Sequence, residues 1–106
     1  MMGERTANVQ ATDLAETLEQ LQTVIEGRWS ADPESSYTAR LLNGPVDYMI
    51  KKLAEEAVEL GLAIKDDDHD HIRYEAADLI YHLLVALQKS QVSLPELAGE
   101  LKARMK

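Results

Sequence analysis

The sequence predicts an all-α fold, a helical bundle of about four to five helices, on three observations. Apolar residues recur three and four apart through most of the chain after residue 12, the period of a helix that buries one face. No segment alternates apolar and polar residues as a half-buried strand would. Capping residues, Gly and Pro frame the periodic stretches, as they do where helices start and stop.

Residues 1–11 are polar and aperiodic, so a disordered or frayed N-terminus is expected, with residues 12–106 as one domain. A first helix is expected over 13–27. Asp13 and Glu16 have the spacing of a capping box, Leu14, Leu18, Leu21, Val24 and Ile25 form its apolar side, and Gly27 stops it. The stretch "RWSADPESSYTARLLNGP" is the one long break; within it "SYTARLL" predicts a short helix capped by Ser35 or Ser36 and ended by Asn43 and Gly44. Pro45 falls at or beside the first turn of the next helix, where its missing N–H costs little. That helix spans 46–65, with Val46, Met49, Ile50, Leu53, Ala57, Leu60 and Ile64 inside about 100° of arc. "DDDHD" interrupts it as an acidic loop. A further helix over about 70–90 is apolar around most of its circumference, through Ile72, Ala76, Leu79, Ile80, Leu83, Leu84 and Leu87, and needs cover on several sides. Ser93 and Glu96 form a capping box for a last helix carrying Pro95 near its start and Leu94, Leu97 and Leu101 on one side.

Composition narrows function. The 106 residues suit one compact domain, which buries roughly two-thirds of its unfolded surface. With no Cys there are no disulfides, thiolate zinc sites or cysteine nucleophiles, so any metal is held by oxygen or imidazole. No apolar run approaches the ~20 residues of a membrane span and no signal peptide is evident, which suggests a soluble cytoplasmic protein. A formal charge of −8 argues against a phosphate-neutralising nucleic-acid surface. An acidic protein can still bind an anionic substrate when divalent cations lie between the two.

The acids are grouped as that condition requires. Glu56 and Glu59 share a helix face, as do Glu75 and Asp78, with His82 one turn beyond. Glu56 and Glu59 are expected at the edge of the apolar arc, with Lys52 one turn earlier. A short loop predicts antiparallel packing of the two helices, which brings the two pairs together. Four carboxylates that close raise one another's pKa unless a cation intervenes, and oxygen-only coordination suits Mg²⁺, Mn²⁺ or Ca²⁺. Lys52 fits either an ion pair with Glu55 or Glu56 or a contact to substrate. His82 fits a satisfied core histidine or a ligand. Asp66, Asp67, Asp68 and Asp70 lack the Gly and distant Glu of an EF-hand loop and fit a solvated turn.

The order K-x-x-E-E-x-x-E, then E-x-x-D, resembles the signature of the all-α nucleoside-triphosphate pyrophosphohydrolases, the MazG-like superfamily. The segments "SYTARLLNG", "KKLAEEAVE" and "EAADLIYHLLVAL" are similar, more narrowly, to phosphoribosyl-ATP pyrophosphohydrolases of histidine biosynthesis. The family often has Gly where this chain has Ala54. The resemblance implies Mg²⁺, or Mn²⁺ in its place, on Glu56, Glu59, Glu75 and Asp78. It implies Glu55 or Glu56 as the base, Lys52 toward substrate phosphate, and Ser36, Tyr37, Thr38 and Arg40 as substrate contacts. It further implies a nucleotide substrate and an obligate homodimer, which the broad apolar surface of the 70–90 helix favours independently. Two alternatives share these features: a housekeeping pyrophosphohydrolase of simple nucleotides, and a non-catalytic helical dimerisation module whose acids maintain solubility.

Overall fold

The computed structural model describes residues 9–105; most of the N-terminal stretch expected to fray lies outside them. Five α-helices follow in order and no strand occurs among the described residues: α1 (Leu14–Gly27), α2 (Tyr37–Asn43), α3 (Val46–Lys65), α4 (His69–Ser90) and α5 (Leu94–Ala103). A 3₁₀ turn, Arg28–Ser30, continues directly from α1.

The helices begin where side chains can satisfy free N–H groups. Asp13, Ser36, Asp68 and Ser93 each accept from the backbone N–H three residues on. At Ser93 the capping box is complete, with Glu96 accepting from the Ser93 N–H. At Asp13 only half of it forms, because Glu16 turns forward to accept from Gln20. The acidic loop is shorter than expected. Asp66 caps the end of α3, Asp67 takes a left-handed conformation (φ 54°), and Asp68 already caps α4.

That tight link folds α4 back along α3, and these two helices make the largest contact in the molecule. Ile25, Leu41, Leu42, Met49, Leu84 and Val85 form the buried core, with Leu18, Leu21, Leu53 and Ile80 packed around it. The corner between α2 and α3 is fixed by Lys89, whose Nζ donates to the carbonyls of Leu42 (2.6 Å) and Gly44 (2.7 Å). Gly44 is required there, since a Cβ would lie 2.6 Å from the Arg40 carbonyl oxygen.

One expectation needs correction. The buried face of α3 is centred on Glu56, not on the arc from Val46 to Ile64. Met49, Glu56 and Ala63, spaced seven apart, are the buried residues, with Leu53 and Leu60 half-buried between them. Val46, Ile50, Ala57 and Ile64 form a second, adjacent stripe that stays exposed. On α4 the buried residues are Glu75, Asp78, His82, Leu84 and Val85, while Leu83 is exposed and Ile72, Ala76, Leu79 and Leu87 are half-covered. Leu101 on α5 is also exposed.

Candidate active site

The α3–α4 hairpin brings all four predicted metal-binding acids together. Glu56, Glu59 and Glu75 each offer a carboxylate oxygen within 4.8 Å of the others, and Glu56, Asp78 and His82 converge similarly. Glu56 belongs to both groups. Its side chain is fully buried, and Glu75 and Asp78 are also buried.

A buried carboxylate ordinarily finds hydrogen-bond donors. Here both oxygens of Glu56, both of Asp78, and one each of Glu59 and Glu75 have no hydrogen-bond partner. Gathering so many buried carboxylates with few counter-charges is costly. Accordingly Glu56 is pushed up to about 8, first by burial and then by the closeness of Asp78 and of Glu59. Six unpartnered oxygens from four acids fit a hard divalent cation, which takes oxygen ligands almost exclusively. His71 steadies Glu75 through its other oxygen, its Nε2 lying 3.1 Å from Oε2.

Lys52 is mostly buried beside this group and pairs with Glu55 at 3.3 Å and Glu56 at 3.8 Å. Burial alone would lower its ammonium; the hydrogen bond and charge of Glu55, then the charge of Glu56, raise it instead. Glu55 itself is exposed and sits outside the buried acids.

The predicted substrate segment packs against α4. Tyr37 Oη lies 2.8 Å from His82 Nε2, Thr38 and Tyr81 share a hydroxyl–hydroxyl hydrogen bond, and Ser36 Oγ caps the Ala39 N–H. Arg40 donates to the Pro33 carbonyl and lies over the Tyr37 ring, 5.6 Å from its centroid. Burial, followed by the charges of neighbouring tyrosines, Glu56 and Asp78, raises the Tyr37 phenol far above its ordinary value, so it keeps its proton. A cavity of about 640 Å³ lies elsewhere, lined by Gln22, Glu26, Trp29, Gln88 and Ser93 among others and by none of the predicted site residues.

The chain is similar to known proteins over most of its length. The family described as "Phosphoribosyl-ATP pyrophosphohydrolase" matches residues 18–105. The chain belongs to that family. It is 50% identical over 91 residues to a phosphoribosyl-ATP pyrophosphatase of Caulobacter sp., covering 86% of this chain and 84% of the relative. A second, from Nitrosomonas eutropha, is 43% identical over 93 residues, covering 88% and 80%. The histidine biosynthesis bifunctional protein HisIE of Bacillus subtilis is 41% identical over 95 residues; the match covers 90% of this chain and 46% of that longer protein.

Within this phosphoribosyl-ATP pyrophosphohydrolase fold, three residues of the site's surroundings carried no readable sequence signal. His71 had only its i,i+4 spacing to Glu75 to recommend it. Tyr81 and Lys89 act on residues 43 to 47 positions away, beyond the reach of any local pattern. No helix among the described residues is long and apolar enough to cross a membrane.

Proposed function

We propose that this family member hydrolyses phosphoribosyl-ATP between its α- and β-phosphates, giving phosphoribosyl-AMP and pyrophosphate, the second step of histidine biosynthesis. The observation that carries the reading is the set of six buried, unpartnered carboxylate oxygens on Glu56, Glu59, Glu75 and Asp78. Acids kept only for solubility would stand in water, whereas Glu56 is fully buried.

Glu56, Glu59, Glu75 and Asp78 would hold Mg²⁺, or Mn²⁺ in its place. When bound, such an ion offsets phosphate charge and lowers the pKa of an adjacent water. The chain's own residues supply the rest. Glu56 is shared by both converging groups and is committed to holding the charge centre. Glu55, exposed one residue earlier and paired with Lys52, would accept the proton of the attacking water. Lys52 can exchange its carboxylate partners for a substrate phosphate oxygen. Arg40, beside the Tyr37 ring, adds a second positive charge on the substrate side.

The active form in this reading is a homodimer. Val46, Ile50, Ala57 and Ile64 on α3, with Leu83 on α4, leave an apolar surface uncovered in one protomer. A second copy supplies a matching stripe through a two-fold axis, and sedimentation should return twice the monomer mass.

Purified protein with Mg²⁺ and phosphoribosyl-ATP should release pyrophosphate and phosphoribosyl-AMP in equal amounts. Release from dCTP but not from phosphoribosyl-ATP would overturn the reading. Added Mg²⁺ or Mn²⁺ should also raise the melting temperature, by about 2.7 kcal/mol of stability at 100 times Kd.

A further inference from the structure

Both ring nitrogens of His82 are engaged. Nδ1 lies 2.8 Å from the backbone carbonyl of Asp78, and a carbonyl only accepts, so Nδ1 carries a hydrogen. Nε2 faces the Tyr37 hydroxyl at 2.8 Å. The ring is fully buried, and Nδ1 also faces the Asp78 carboxylate at 3.6 Å. In the Nδ1–H tautomer that the Asp78 carbonyl selects, Nε2 accepts and Tyr37 donates.

This single tautomer ties together two parts of the site that come from distant stretches of chain. On one side it holds the main chain of the turn that presents Asp78; on the other it receives Tyr37 from α2. The neighbouring Thr38–Tyr81 hydrogen bond makes a second rung one residue along. The Tyr37 and Tyr81 rings both meet His82 edge-on, with centroids 5.8 and 5.2 Å away, an arrangement that restricts rotation of the imidazole. A nitrogen that bears a hydrogen and one that accepts a hydrogen bond leave no lone pair free for a metal. His82 converges with Glu56 and Asp78 in space, but its hydrogen bonds set it apart from them in chemistry.

We propose that His82 is a positioning residue: by accepting from Tyr37 and donating to the Asp78 carbonyl, it sets the Ser36–Arg40 segment against the metal-holding acids without ligating the metal. What the segment and the acids bind is taken from the function proposed above; the hydrogen-bond geometry stands apart from it.

Tyr37→Phe deletes the hydroxyl alone, and His82→Asn keeps a donor near Nδ1 while removing Nε2. Each should raise KM for phosphoribosyl-ATP about tenfold, the lower end of the cost of losing an outer-shell hydrogen bond. The double variant should be no worse than either single one, and His82→Gln, which restores an acceptor near Nε2, should recover part of the loss. The Mg²⁺ concentration giving half-maximal rate should stay within about twofold of wild type, the scatter of independent sites. A double variant with multiplied losses of about 100-fold would show the two side chains to be uncoupled and overturn the proposal. A tenfold rise in the Mg²⁺ requirement with KM unchanged would make His82 a ligand and overturn it as well.

Two measurements need no turnover. Nitrogen NMR of the wild-type imidazole should show a protonated Nδ1 and a bare Nε2 with and without Mg²⁺; the reverse assignment overturns the proposal. Calorimetric titration of Mn²⁺ should give the same affinity for wild type and Tyr37→Phe, and only a modest change for His82→Asn. If the wild-type protein releases no pyrophosphate from phosphoribosyl-ATP, the function fails, while the tautomer and the Mn²⁺ affinities still decide the role of His82.

Discussion

Two groups of acids lie at opposite ends of one hairpin's logic. Asp66, Asp67, Asp68 and Asp70 are nearly contiguous; Glu56, Glu59, Glu75 and Asp78 are spread over two helices. The first group is mainly exposed and engaged locally: Asp68 caps α4, Asp70 meets Arg73 at 3.1 Å and His69 at 3.4 Å, and Asp66 and Asp67 end α3. The second is largely buried and six of its oxygens lack hydrogen-bond partners. Charge density along a chain therefore says little about a site. What matters is whether water and backbone donors have already satisfied the charge.

Breaking each group should separate the two roles. The largest effect is expected at Glu56→Gln or Asp78→Asn, which should cut pyrophosphate release by on the order of 10²–10³-fold, the scale of removing one preorganised charge from an active site. Both variants should lose the metal-dependent rise in melting temperature. Asp66→Asn in the turn should leave rate and metal response at wild-type values; a comparable loss there would erase the distinction.

The pH dependence of the metal-free protein should be smaller but diagnostic. Glu56 in the folded state is pushed up to about 8 by burial, then by Asp78 and Glu59, so the native state holds its proton more tightly than the unfolded chain does. Its contribution to stability is complete below the ordinary carboxylate range and is lost as pH rises from there to about 8. Thermal melts in chelator should fall across that window, and Glu56→Gln should flatten the fall. Saturating Mg²⁺ should remove it in wild type, because the cation replaces the proton.

The smallest effect belongs to the turn. Asp68→Ala removes the side-chain acceptor for the His71 N–H, 3.2 Å away, and should cost about 1 kcal/mol, the usual value of an N-cap. Denaturant midpoints should report that loss with the Mg²⁺ response intact. A lost Mg²⁺ response would mean that the turn helps to register the acids.

Much of this was legible in the sequence, for a physical reason: caps, helix periods and i,i+3 acid pairs are local. Ser36, Ser93 and the four clustered acids are read from neighbours within one or two turns. The orientation of α3 was not legible, because its two apolar stripes share Leu53 and Leu60 and merge into one broad arc on a helical wheel. Only packing against α4 shows that Glu56 faces inward and Val46, Ile50 and Ile64 face out. The joins from Tyr37 to His82, Thr38 to Tyr81 and Lys89 to the α2–α3 corner span 43 to 47 residues, and no periodicity records them.

The Lys89 corner has a practical use. An ammonium whose protons are committed to the carbonyls of Leu42 and Gly44 makes a poor target for amine acylation, which needs a free lone pair. Surface lysines such as Lys51 and Lys65 should label first and Lys89 last. The rate at which Lys89 acquires label thus becomes a clock for transient opening of the joint between α2 and α3, readable by mass spectrometry on the unmodified natural sequence.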